Sequence, residues 1–130
     1  MTAPERFSPD DPREWLNRAR SNLALARNRV PDAYLEDLCF EAQQAAEKAI
    51  KAVLIRCGIE FPYVHDLARL LTLLEEAGTV LPENIQGVEE LTLYASIGRY
   101  PGPNRPVSPE EYVKAVKLAQ AAIQWAEGHI

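Results

Sequence analysis

The chain has 130 residues, of which 47% are hydrophobic and 25% charged, and a formal net charge of −5. That length reads as one domain with room for its own core, and the composition excludes a disordered chain. The acidic balance argues against sequence-blind nucleic-acid binding over a broad basic surface, although it leaves room for a local basic site in a dimer groove.

Residues 1–10 read as an N-terminal tail and 11–128 as a single helical domain. Helix one is expected from Pro12 to Arg29. Ser8-Pro9-Asp10-Asp11-Pro12 supplies capping residues and then a proline suited to the first turn. Trp15, Ala19, Leu23 and Ala26 keep a helical rhythm, Leu16 widens the stripe, and Val30-Pro31-Asp32 stops it.

Helix two is expected from Tyr34 to Arg56, with Leu35, Leu38, Ala42, Ala45, Ala49 and Val53 on its core side. Ala42, Ala45, Ala46, Ala49 and Ala52 make a small-residue face. Such a face lets a neighbouring helix axis approach to the short end of the usual ~8–10 Å. Gln43, Gln44, Glu47, Lys48 and Lys51 fall on the other side. Glu47 and Lys51, with Glu first in a four-residue step, read as an exposed pair. The same stripe could line a groove or a dimer face, but a mixed charged stripe more often meets solvent. Gly58 is the stop signal, and 59–64 is a connector.

Helix three is expected from Asp66 to Ala77, with Leu67, Leu70, Leu71 and Leu74 as its stripe and Gly78 as its end. Helix four is expected from Pro82 to Ile97, lined by Ile85, Val88, Leu91, Tyr94 and Ala95. The stretch from Gly98 to Val107 carries prolines at 101, 103 and 106 and glycines at 98 and 102, which cannot continue a helix. Ser108-Pro109-Glu110-Glu111 restarts one, with serine as cap and Glu111 at the capping-box position. Helix five then runs to Glu127, lined by Tyr112, Val116, Ala119, Ile123 and Ala126. No segment reads as a strand. The fold class is all-α: an antiparallel up-down bundle of four main helices plus a shorter one.

Cys39 and Cys57 lie on one expected helix, about 27 Å apart along its axis, so they read as two reduced thiols rather than a disulfide. Two histidines and no Cys/His cluster predict no metal site and no cofactor. There is no signal-like N-terminus, and no run approaches the ~18 apolar residues of a membrane span. The expected location is cytoplasmic. Trp15, Trp125, Tyr34, Phe40, Phe61 and Tyr63 read as core residues or bundle-end plugs. Gly-x-Gly loops, a Ser–His–acid arrangement and paired Glu-x-x-His motifs are absent from the sequence.

Two groups of residues could carry chemistry. In His65-Asp66, His65 could titrate while Asp66 orients a ligand; the simpler reading has Asp66 capping helix three and His65 packing over the connector. Arg99, Tyr100 and Arg105 could form a local phosphate or nucleotide site. Guanidinium groups suit a phosphate, a tyrosine ring suits a base, and the start of helix five attracts anions.

The run Phe40-Glu41-Ala42-Gln43-Gln44-Ala45-Ala46-Glu47-Lys48-Ala49-Ile50-Lys51-Ala52 resembles the second helix of the HEPN family of small helical domains. Trp15 and Ala19 fit that family's first helix, His65-Asp66-Leu67 its HDL turn, and Arg99-Tyr100-Pro101 its RYP ending. The resemblance spans residues 13 to 127. It implies a helical bundle, a homodimer, and frequent pairing with a minimal nucleotidyltransferase in a two-component, toxin–antitoxin-like system. In that setting the chain would be an interaction and nucleotide-binding module, and Tyr100 could accept a nucleotide from the partner. Some members are metal-independent ribonucleases with Arg, four to six residues, then His. Arg99 fits the arginine, but Asn104, Arg105 and Pro106 stand where the histidine belongs. A ribonuclease with a degenerate motif, using His65 or Tyr100 as the base, is therefore the alternative, and a purely structural adaptor is a third reading.

Overall fold

The computed structural model of the chain describes residues 3–97 and 106–130. Among these residues every regular element is a helix: α1 Pro12–Arg27, α2 Leu35–Arg56, α3 Leu67–Glu76, α4 Glu83–Gln86, a 3-10 stretch Gly87–Leu93, α5 Tyr94–Ile97, and α6 Pro109–Glu127. The all-helical bundle expected from the sequence is the fold observed.

The helix ends follow local chemistry. Asp11 caps α1 by accepting from the Arg13 amide at 2.9 Å, ahead of Pro12. Gly58 ends α2 at φ 71°, where the Gly58 amide donates to Ile55 O at 3.0 Å and the Ile59 amide to Leu54 O at 2.9 Å. Gly78 ends α3 in the same way at φ 94°, with Gly78 donating to Glu75 O and Thr79 to Leu74 O, both at 3.0 Å. Both ends are Schellman motifs, in which a left-handed residue closes two orphan carbonyls. Ser108 and Glu111 form the expected reciprocal capping box at the start of α6.

Helix four is where expectation and structure part. In place of one α-helix over 82–97 there are two short α-turns flanking a 3-10 stretch. The buried residues Ile85, Val88, Leu91 and Tyr94 recur every third position. In an α-helix each such step falls about 60° short of a full turn, so the four would spiral off the core. At 3.0 residues per turn they stack in line. Gly87 and the β-branched Val88 and Thr92 weaken the α alternative further.

α2 is the central element, in contact with α1, α3, α5, α6 and the 3-10 stretch. Its alanine face is buried completely, as are Cys39, Ile50, Val53 and Leu54. α6 runs antiparallel to α1. Tyr112 near its start donates to Ala26 O at 2.6 Å, and Glu127 at its end pairs with Arg20 at 2.7 Å. The Val107 amide donates to Glu36 Oε1 at 2.6 Å, which ties the entry of α6 to the first turn of α2.

Candidate functional site

The site grows out of a correction. The polar residues of α2 do not form a solvent face: Gln43, Glu47 and Lys51 are buried, and Gln44 and Lys48 are half-buried. Apolar and small residues occupy so much of the helix circumference that α2 is enclosed on nearly all sides. The four-residue steps 43, 47 and 51 then fall along one inward line.

That line is closed by hydrogen bonds centred on Glu47. Its Oε1 accepts from Gln43 Nε2 at 2.9 Å and faces His65 Nδ1 at 2.9 Å, and its Oε2 accepts from Lys51 Nζ at 2.9 Å. Gln44 Nε2 donates to Gln43 Oε1 at 2.7 Å, extending the chain by one link. Because Glu47 is an acceptor on both oxygens, the proton of this contact sits on His65 Nδ1, and Nε2 is the ring nitrogen not engaged by Glu47. Burial pushes the Glu47 carboxyl up, but hydrogen bonds from Lys51, Gln43 and His65 outweigh it and hold the carboxyl below its ordinary value.

Among the described residues, the charged centre of the cluster reaches the surface through His65. The side chains of Glu47 and Lys51 are each 5% exposed, whereas that of His65 is 41% exposed. Phe61 and Tyr63 of the connector lie over Lys51, with ring centroids 5.5 and 5.6 Å from Nζ, within cation–π range. Phe61 also meets Trp15 of α1 edge to face, at 6.4 Å between centroids.

Lys48 points the other way, to α1, and donates to Asn22 Oδ1 at 2.7 Å, while Asn22 donates to Glu41 Oε2 at 2.7 Å. Burial lowers the Lys48 ammonium below the usual lysine value; Glu41 and Glu47 oppose the shift, and Arg18 and Lys51 add to it. Farther along α1, the buried Glu14 accepts from the Phe7 amide at 2.9 Å and from Arg18 Nε at 2.7 Å.

The residues singled out in the sequence are therefore brought together in part. Gln43, Gln44, Glu47, Lys51 and His65 form one cluster, with Lys48 on its flank. Asp66 stands apart as the cap of α3, accepting from the Ala68 amide at 3.1 Å. Arg99, Tyr100 and Arg105 lie outside the described residues. Tyr34 and Tyr63 are not core residues; they are 75% and 95% exposed, whereas Trp15, Trp125 and Phe61 pack against the core. Sequence reasoning missed the His65–Glu47 bond, which joins residues far apart in the chain, and the roles of Asn22 and Glu14. The available signal for the cluster was the size of the small-residue surface of α2, too wide for a helix with a wet side. Among the described residues there is no His/Cys/Asp/Glu group fit to hold a metal ion, and no helix is long and apolar enough to cross a membrane.

The family model for the HEPN domain matches residues 12–129. The chain is similar to the crystal structure of TT1696 from Thermus thermophilus, at 31% identity and a TM-score of 0.78, over 92% of this chain and 98% of that one. It is also similar to the crystal structure of ST0689, an archaeal HEPN homologue, at 27% identity and a TM-score of 0.69, over 91% of this chain and 96% of that one. No curated protein matches the chain.

Proposed function

The chain belongs to the HEPN family, and we propose that it acts there as an interaction and nucleotide-binding module, one half of a two-component, toxin–antitoxin-like pair with a minimal nucleotidyltransferase. The partner supplies metal-dependent nucleotidyl transfer. This chain, as a cytoplasmic homodimer, supplies the docking surface and holds a nucleotide. The observation that carries this reading is the burial and pairing of Glu47. Its two oxygens take three hydrogen bonds from Gln43, His65 and Lys51 inside the bundle, so most of its roughly four acceptor sites are engaged, and its side chain is only 5% exposed, a poor position from which to take a substrate proton. Around it, the exposed Tyr63 and half-exposed His65 form a surface suited to contact.

A second reading is favoured by one specific feature. A histidine whose Nδ1–H is held by a carboxylate presents a basic Nε2, the arrangement of a general base. His65 has that geometry, so a ribonuclease in which His65 replaces the missing motif histidine and Arg99 holds phosphate is the rival. Titration calorimetry of the purified chain against a purified minimal nucleotidyltransferase from the same genome tests the first reading. A saturable complex that weakens at least about tenfold in Tyr63→Ala is expected, in keeping with an exposed aromatic anchor. Absence of any complex would overturn the pairing.

A further inference from the structure

The N-terminal segment, α1 and α2 enclose a cleft of about 250 Å³ lined by Phe7, Pro9, Glu14, Trp15, Arg18 and Lys48. We propose that this cleft is a binding site for a small flat aromatic anion, with the ring against Trp15 and the anionic group on Arg18 and Lys48.

Its wall is built rather than draped. Trp15 Nε1 donates to Pro9 O at 2.6 Å, the Phe7 amide donates to Glu14 Oε1 at 2.9 Å, and Asn17 Nδ2 donates to Glu5 O at 2.9 Å. These bonds hold residues 5–9 against α1, so the segment read from sequence as a tail forms one side of the cleft. The ring chemistry comes from an indole and a phenyl group, which favour a flat partner.

Charge selects the other half of the ligand. Glu14 is occupied by the Phe7 amide and by Arg18 Nε. Only Nε of Arg18 is used in that pair, so its terminal nitrogens keep the fork that suits a carboxylate or phosphate. Lys48 spends one proton on Asn22. Its half-buried ammonium is disfavoured by burial, and an anion in the cleft would offset that cost. Among the lining side chains two cations stand against one paired carboxylate, with Glu41 and Glu47 also acting on Lys48, on a chain of net charge −5. The volume sets the size. Ligand pockets usually span ~300–1,000 Å³, so this smaller cleft suits one ring system and one anionic group. The site is separate from the Glu47 cluster and does not depend on the transferase pairing.

The test is fluorescence titration of Trp15 in a Trp125→Phe background, with adenosine monophosphate, adenosine, inorganic phosphate and an aryl carboxylate as probes. Saturable quenching below about 1 mM by an aromatic anion is expected. It should be at least tenfold weaker for adenosine or phosphate alone, and at least tenfold weaker in Arg18→Gln and in Lys48→Gln. Adenosine monophosphate acting without the carboxylate would mark the ligand as a nucleotide, and both acting would mark the broader class. No quenching by either, equal binding of phosphate alone, or binding unchanged in Arg18→Gln would overturn the assignment. Arg18 is exposed and Gln keeps a donor for Glu14, so Arg18→Gln is expected to fold, as an unchanged helical spectrum would show, and decides the outcome even where Lys48→Gln does not fold.

Discussion

The Nδ1 atom of His65 lies 2.9 Å from Oε1 of Glu47, and the same carboxylate holds Lys51 at 2.9 Å through its other oxygen. A buried cation, a buried carboxylate and a half-exposed histidine thus share one centre, whose most exposed member is the imidazole. Removing the centre should be far worse than removing its rim. Glu47→Ala strands Lys51 and is expected to cost about 3–5 kcal/mol, whereas His65→Ala should cost about 1 kcal/mol. Replacing both Glu47 and Lys51 by Met should recover part of the loss, because a packed apolar pair replaces a desolvated ionic one, while the buried Gln43 amide loses its acceptor. Urea denaturation of the three variants checks the order.

The same carboxylate predicts an acid limb. The folded-state pKa of Glu47 lies below its ordinary value. Its contribution is therefore fully present above the unfolded carboxylate range of about 4.3 and is lost as pH falls through the folded value. Glu14, Asp10 and Asp11 are also held low by their hydrogen bonds, so the wild type will lose stability from several groups at once. Urea midpoints stepped down from pH 6 should fall less steeply for Glu47→Gln than for the wild type, and parallel slopes would contradict the prediction.

Much of this molecule was legible in its sequence, for reasons that differ along the chain. The caps at Asp11, Asp66 and Ser108 and the stops at Gly58 and Gly78 are local chemistry, readable within a few residues. The alanine face of α2 declares close packing directly. The spacing of Ile85, Val88, Leu91 and Tyr94 is visible too, but a short run of threes is compatible with an α-helix, and only the in-line burial of all four favours the 3-10 stretch. The Glu47 cluster was hidden for another reason. A Glu–Lys pair four residues apart looks the same on a wet helix and on an enclosed one, and only the packing of α1 and the connector around α2 distinguishes them.

The two cysteines should differ sharply in reactivity. Burial, with Glu36 and Glu111 adding to it, pushes the Cys39 thiol up to about 12, so it stays protonated and shielded. Cys57 is exposed. A disulfide-exchange reagent near pH 8 should titrate one thiol promptly in the folded protein and the second only on unfolding. Cys57→Ser should abolish the prompt phase.

Tyr112 bridges α6 and α1 through a hydroxyl donated to Ala26 O at 2.6 Å. Ala26 lies in the last turn of α1, where carbonyls lack helical partners. Tyr112→Phe leaves that oxygen unpaired in a buried site and should cost about 1–3 kcal/mol. By contrast, Trp125 Nε1 is buried with no hydrogen-bond partner among the described residues, so Trp125→Phe removes an unsatisfied donor and should cost less than Tyr112→Phe. Thermal melts of the two variants side by side make the comparison.

In the proposed function the paired Glu47, Lys51 and His65 cluster serves a binding module rather than a catalytic centre. The most direct measurement is incubation of the purified chain with mixed cellular RNA in chelator, beside His65→Ala and Arg99→Ala prepared identically. Intact RNA is expected in all three. Cleavage by the wild type that disappears in either variant would contradict it and make the chain a ribonuclease.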